Sequence, residues 1–299
     1  MASLREIRRK IKSVKSTQQI TKAMKMVAAA RMRRAQSSIL ASRPFAARME
    51  EAVRNLALLE VTSVAAAHQG VQLHPFFDAR TESGAFLILV TADKGLCGAF
   101  NSNAIRASLD WLRRHRGRKM AVASVGRKGR EVLHRIKDVE FEVATELIGI
   151  FPKVTFAHAE LLGKAVTDAY LTGGCSTVDV IYNEFKSVAT QRVVTARLLP
   201  IPVPEGEAWR ANAQGFKFEP RREELLNALM PRYLKAQLYR ILLESQAAEL
   251  AARMNAMDSA SKNAGELIGS LTLGLNRTRQ GIITREIAEL VGGAEALAS

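Results

Sequence analysis

LREIRRKIKSVKSTQQITKAMKMVAAARMRRA, residues 4–35, opens with apolar side chains at Leu4, Ile7, Ile11 and Val14, in alternating steps of three and four. That spacing draws a narrow apolar seam along one side of an α-helix, the pattern of a coiled coil. The stripe continues less strictly through Met24, Val27 and Ala28. No glycine precedes Gly70, and Ser3 followed three residues later by Glu6 forms a capping box that starts a helix. The pattern predicts one helix reaching about Leu59. Pro44 is its one interruption and a candidate kink, because proline removes a backbone donor and crowds the carbonyl four residues earlier. At 1.5 Å per residue such a helix is about 85 Å long, more than a compact domain uses, so it reads as a spacer or shaft.

The other end of the chain mirrors this one. Leu234, Leu238, Ile241, Ser245 and Ala248 follow the same spacing, as do Met254, Met257, Ser261, Ala264, Ile268, Leu271 and Leu275 after a register shift near Leu250. Small residues on the stripe allow close approach of a second helix. Gly265, Gly269, Gly274 and Gly281 each weaken intrinsic helicity by about 1 kcal/mol relative to alanine. Such a helix needs a partner, and the N-terminal helix is the economical one, paired antiparallel.

Between the two helices, Gly84–Val90 (GAFLILV) and Lys119–Val125 (KMAVASV) read as buried strands. Helical patterns follow them at Asn101–His115 and Arg127–Ile136. A third strand at Thr177–Tyr182 and a hairpin through Thr190–Leu199 complete the set. The expected fold class is therefore α/β: a long antiparallel coiled coil of the N- and C-terminal helices plus a central doubly wound α/β domain. The expected organisation is a first helix at 1–60, a linker at 61–83, the α/β domain at 84–200, a linker at 201–220 and the second helix at 221–299.

Charge is concentrated at one end. Of the net +15, residues 1–50 carry 13 Lys and Arg against Glu6 and Glu50 alone, while residues 205–299 are balanced. A merely solvated helix would mix acids with its lysines for i,i+4 support, so this depletion points to a negatively charged partner. Nucleic acid would favour interleaved aromatics, and the first aromatic is Phe45. An acidic protein surface competes well with it. The segment continues a regular helical pattern with no processing site in it, and reads as mature protein rather than a transit peptide. No apolar run approaches the roughly 18 residues of a membrane span.

Catalytic motifs are incomplete throughout. Gly95-Leu96-Cys97-Gly98 and Gly126-Arg127-Lys128-Gly129 do not make a dinucleotide fingerprint, and Gly163-Lys164-Ala165 lacks most of a phosphate loop. His158-Ala159-Glu160 is half of a zinc-deaminase signature without the cysteines that should follow, and reads as helix surface. Cys97 and Cys175 fit neither a disulfide framework nor a zinc site, and Cys97 reads as a small residue packed in a tight turn. No metal, cofactor or catalytic site is expected.

Four segments carry a resemblance. Ile20–Ala35 (ITKAMKMVAAARMRRA), Asp93–Asn101 (DKGLCGAFN), Arg253–Ala264 (RMNAMDSASKNA) and Leu271–Leu297 closely resemble the gamma subunits of F-type ATP synthases. The terminal pattern Ile283-Thr284-x-Glu286-x-x-Glu289-x-x-x-Gly293-Ala294 is long and spaced as in that family. The resemblance implies a central-stalk rotor without an active site of its own. Its partners would be the alpha, beta and epsilon subunits and the c-ring, with delta in the full complex, and no nucleic acid. It would be peripheral to a bacterial inner membrane, on the cytoplasmic side.

Carried over residue by residue, the resemblance implies that Met24 and its basic neighbours, including Arg31, face acidic loops of the beta subunits. Lys94 and Arg106 would add positive contacts. The family often has arginine where Lys94 stands, and lysine lacks arginine's planar fork for a bidentate contact. Arg279 and Gln280 would form a polar catch on a beta subunit, with Thr284 and Glu286 close by. Ile287, Leu290, Val291 and Leu297 would turn in a hydrophobic sleeve. The plastid relatives' cysteine-bearing segment is absent, and no import sequence is expected. The alternative is a basic coiled-coil scaffold for nucleic acid, whose duplex binding would fall steeply with salt.

Overall fold

A strand that is apolar without alternation needs cover on both faces, which places it in the middle of a parallel sheet. The computed structural model, which describes residues 3–66, 74–77, 84–151, 153–172, 174–202 and 222–298, bears this out for β1 (Gly84–Val90), where all seven residues are buried. β1 lies at the centre of a five-stranded sheet of order β3-β2-β1-β4-β5. β2 (Met120–Val125), β3 (Glu142–Leu147) and β4 (Cys175–Phe185) run parallel to it, and β5 (Gln191–Leu199) returns antiparallel to β4. Leu87 stands opposite Val122 on one side and Asp179 on the other.

The helices between the strands are α2 (Phe100–Arg114), α3 (Arg127–Leu133) and α4 (Phe156–Leu171). α2 packs Ala104, Trp111 and Leu112 onto Ala85, Leu87 and Leu89 of β1. Its indole also donates from Nε1 to the buried carboxylate of Asp179, 2.9 Å away, which Arg197 of β5 clasps from the far side. β3 was not anticipated, and α4 only through the helix-surface reading of His158-Ala159-Glu160. β3 is a sheet edge, so its residues Glu142, Val143 and Ala144 are exposed and leave no apolar run in the sequence. It is tied back by Glu146, whose carboxylate forms an ion pair with Arg130 and meets Nε2 of His134 of the α3 region, each at 2.6 Å. The strand expected at Thr177–Tyr182 is therefore the fourth, not the third. α4 begins at Thr155, whose backbone N–H donates to Nδ1 of His158, so that histidine belongs to a helix start.

Two long helices flank this set: α1 (Leu4–Ala66) and α5 (Arg222–Ala298). α1 continues through Pro44 and past Leu59. Ser3 and Glu6 form the expected capping box, with the Ser3 N–H donating to the Glu6 carboxylate and the Glu6 N–H to the Ser3 hydroxyl. Most of 61–83 and 201–220 lies outside the described residues.

The chain divides into two units, Ala29–Ala252 on the one hand and Met1–Ala28 with Arg253–Ser299 on the other. In the larger unit, α5 is buried at every position from Ile241 to Ala252 except half-buried Glu244. α4 approaches it closely: a Cβ at Gly163 would come within 2.7 Å of Cγ of Lys235, and Phe156 meets Tyr239 edge-on at 5.6 Å. Ala248 and Ala252 form a small apolar cluster with Ala92, Cys97 and Phe100.

Candidate functional site

The smaller unit contains only the beginning of α1 and the later part of α5, and its geometry follows from two polar contacts. Lys25 Nζ lies 2.5 Å from Asp258 Oδ1, and Gln18 Nε2 donates to the Ser261 carbonyl at 3.3 Å. A lower number on α1 meets a higher one on α5, so the pair is antiparallel. Seam residues Leu4, Ile7, Ile11 and Val14 are half-buried, as are Ser261, Ile268, Leu271 and Leu275 across from them, and Met257 and Ala264 are buried. The seam then continues on α1 without a break in spacing, through Gln18, Thr21, Lys25 and Ala28. Val27, expected on the stripe, is 52 % exposed, and Met24 sits half-buried at its margin. Apolarity alone could not follow a seam whose next three positions are polar; counting the spacing onward from Val14 would have.

Lys25 thus turns inward to an ion pair instead of joining the basic face around Met24. It and Lys262 hold the carboxyl of Asp258 below the usual carboxylate range. Arg5, Arg8, Arg9, Lys10, Lys12, Lys15 and Lys22 remain exposed on α1.

Counting back 21 residues from Lys25 to Leu4 advances the same number on the antiparallel partner, from Asp258 to Arg279. α1 therefore ends level with Arg279, and the rest of α5 overhangs it. Among the described side chains of α5 the last half-buried one is Thr278, and every position from Arg279 to Ala294 is exposed. Arg279, Gln280, Thr284 and Glu286 lie on this overhang, with apolar Ile287, Leu290 and Val291 at 56 %, 74 % and 55 % exposure. The side chain of Leu297 lies outside the described residues. Ile287, Leu290 and Val291 together make an exposed apolar patch of the kind found at interaction sites.

In the larger unit, Arg31 is exposed on α1, and Lys94 and Arg106 are exposed on the β1–α2 turn and α2. The turn itself is held rigidly. Asp93 accepts three backbone N–H groups, from Gly149 at 2.8 Å, Arg127 at 3.1 Å and Phe151 at 3.2 Å. In a doubly wound domain, turns at these strand ends are where backbone amides receive phosphate; here the chain's own carboxylate fills them. Asn101 accepts from the Ala92 N–H and donates to the Lys94 carbonyl, which closes the loop, and Leu96 takes a positive φ of 63° within it. The role of Asp93 had no signal in sequence, because its three donors are 34 to 58 residues away. Among the described residues no group of His, Cys, Asp or Glu side chains is placed to hold a metal.

The model of the ATP synthase family matches residues 3–297. Relatives called ATP synthase gamma chain include one from Anaeromyxobacter sp. (strain K), 45 % identical over 99 % of this chain and the whole of the relative. Another, from Elusimicrobium minutum, is 42 % identical over 99 % of each. Among solved structures, a chain from the central stalk and c-ring of the Tetrahymena thermophila mitochondrial ATP synthase aligns with a TM-score of 0.59 at 29 % identity, covering 81 % of this chain and 99 % of that one.

Proposed function

The chain belongs to the ATP synthase gamma-chain family, and from that premise we propose that it is the central-stalk rotor that carries rotation of a membrane c-ring to a catalytic ring of alpha and beta subunits. Proton flow turns the ring and this chain together. The chain has no active site of its own, and ATP forms on the beta subunits. What carries the reading is the overhang of α5. An unpaired helix end with Ile287, Leu290 and Val291 open to solvent is what a shaft turning inside a sleeve of other subunits presents.

The asymmetry of this shaft supplies the mechanism. Each rotation angle offers a different set of side chains to each beta subunit, and a subunit shifts between conformations only as far as its contacts differ in free energy. The exposed cations Arg31, Lys94 and Arg106 would meet acidic loops of the beta subunits, as would the basic face beside Met24. Arg279 and Gln280, with Thr284 and Glu286 near them, would form a catch made at certain angles and broken at others. A charge-assisted hydrogen bond is worth about 1.5 to 3 kcal/mol, enough to shift an equilibrium tenfold. Epsilon and the c-ring would bind the lower part of the chain, with delta elsewhere in the full complex. No described helix is long and apolar enough to cross a membrane, and attachment to a bacterial inner membrane would be peripheral, through the c-ring.

The test is assembly with alpha, beta and epsilon subunits. The complex should hydrolyse ATP and, on the membrane sector, synthesise it under a proton gradient, and Arg279→Ala should assemble normally but lower coupled synthesis about tenfold. Unchanged synthesis in that variant would retire the catch, and a wild-type chain that fails to join alpha and beta would retire the rotor reading.

A further inference from the structure

Between Val14 and Ala28 the seam of α1 consists of Gln18, Thr21 and Lys25, and α5 answers with Asp258, Ser261, Ala264 and Gly265. Met257 is the one large buried apolar side chain that α5 brings to this stretch, and the small flat residues beyond it do not by themselves fix how far one helix is slid along another. The polar contacts do. Asp258 receives Lys25 on Oδ1 at 2.5 Å and Lys262 of its own helix on Oδ2 at 3.1 Å. The Gln18 amide reaches the Ser261 carbonyl across Gly265, where a Cβ would stand 3.0 Å from Nε2. We propose that Lys25 and Asp258 are positioning residues, a pin that sets the axial and angular alignment of α5 on α1 and thereby the place of Arg279 and Gln280.

The pair is not there for stability. Lys25 and Asp258 are 41 % and 32 % exposed, and half-exposed ion pairs contribute little. Its value is that it forms at one offset only. A slip to the next seam position moves a helix by about 5 Å and separates the charges. The pin matters in proportion to the length beyond it: Arg279 lies 21 residues past Asp258, about 32 Å along the helix. A small tilt at the pin therefore becomes a larger displacement at the catch. This deepens the rotor reading and rests on it for its functional half, whereas the alignment itself is a property of the chain alone.

The experiment uses the full chain with spin labels at exposed positions, Arg8→Cys and Asn276→Cys, and measures the distance between them by pulsed electron resonance. The native pair should give one narrow distribution. Lys25→Glu sets two carboxylates face to face and draws the new one toward Lys262; the distribution should broaden at least twofold or gain a second peak, with helix content by circular dichroism unchanged. Combining Lys25→Glu with Asp258→Lys should restore the narrow distribution. In the assembled complex the ratio of ATP synthesis to hydrolysis should fall at least threefold in the single variant and recover in the exchanged pair, which loss of packing alone would not do. An unchanged distribution in Lys25→Glu, an exchanged pair that does not recover, or a broadened distribution with an unchanged ratio overturns the proposal. A native chain that assembles without coupled synthesis overturns the rotor reading instead, and leaves the distance measurement to judge the pin.

Discussion

Two stretches of α5 share one helix and have opposite surroundings. From Ile241 to Ala252 nearly every side chain is buried, whereas from Arg279 to Ala294 every one is exposed. The first stretch has polar residues inside it, Ser245, Gln246 and Glu249, and the second has Ile287, Leu290 and Val291 outside it. Only the second arrangement is at odds with a helix whose surroundings end with its own chain. On the rotor reading proposed above, burial inside this chain and burial by partners would be assigned to separate lengths of one element, so the same kind of substitution should report on folding in one and on assembly in the other.

The largest effect should come from Leu242→Ala in the buried stretch. Cutting a fully buried leucine to alanine costs about 2 to 5 kcal/mol, so urea unfolding of the variant should shift to much lower denaturant. Leu290→Ala should leave that midpoint within about 0.5 kcal/mol of wild type and lower turnover in the assembled complex. Equal loss of stability in the two variants would break the comparison.

A smaller effect is expected at the turn resting on the buried stretch. Asp93→Asn keeps the shape but replaces a charged acceptor of three backbone donors with a neutral amide, and should cost about 2 kcal/mol in the same unfolding measurement. A variant as stable as wild type would show that the turn is held by packing of Cys97 and Phe100 on Ala248 and Ala252 instead.

The smallest effect is one of pH. Tyr182 of β4 has its phenol pushed up to about 12, chiefly by burial and then by the charge of Glu244 from the buried stretch, with Glu184 adding to it and Arg240 opposing. The folded state therefore favours the neutral phenol. The stability this contributes is fully present below pH 10 and is lost as pH rises through 12. Tyr182→Phe should lose stability less steeply than wild type between pH 10 and 12, followed by unfolding at each pH; parallel curves would show that neither burial nor Glu244 raises the phenol.

What could be read from sequence depended on whether a residue's role is expressed by its own neighbours in the chain. β1 announces itself because seven consecutive residues are covered on both faces, and the ends of the helical seam because Leu4 to Val14 and Met257 to Leu275 repeat in threes and fours. The Arg279 overhang was legible only as motif, since its exposure depends on where α1 ends. β3 is an edge, half solvated, and carries no apolar signature. Gln18, Thr21 and Lys25 occupy seam positions with the wrong polarity, and their identity as seam residues depends on groups more than 230 positions away. Asp93 is an ordinary acid until the backbone of three other segments converges on it.

The point at which α1 stops, level with Arg279, has a consequence for the amides of α5. Past that point the helix has only its own hydrogen bonds, and an unsupported stretch of this length, with Gly281, Gly292 and Gly293 in it, is marginal in water. Its backbone protons should exchange with solvent almost as fast as those of a peptide, while those from Ile241 to Ala252 should exchange only when the whole unit opens. The free subunit would then hold a tip that is continually unwinding, and the partners would do more than grip a finished shaft: their sleeve would complete its last turns.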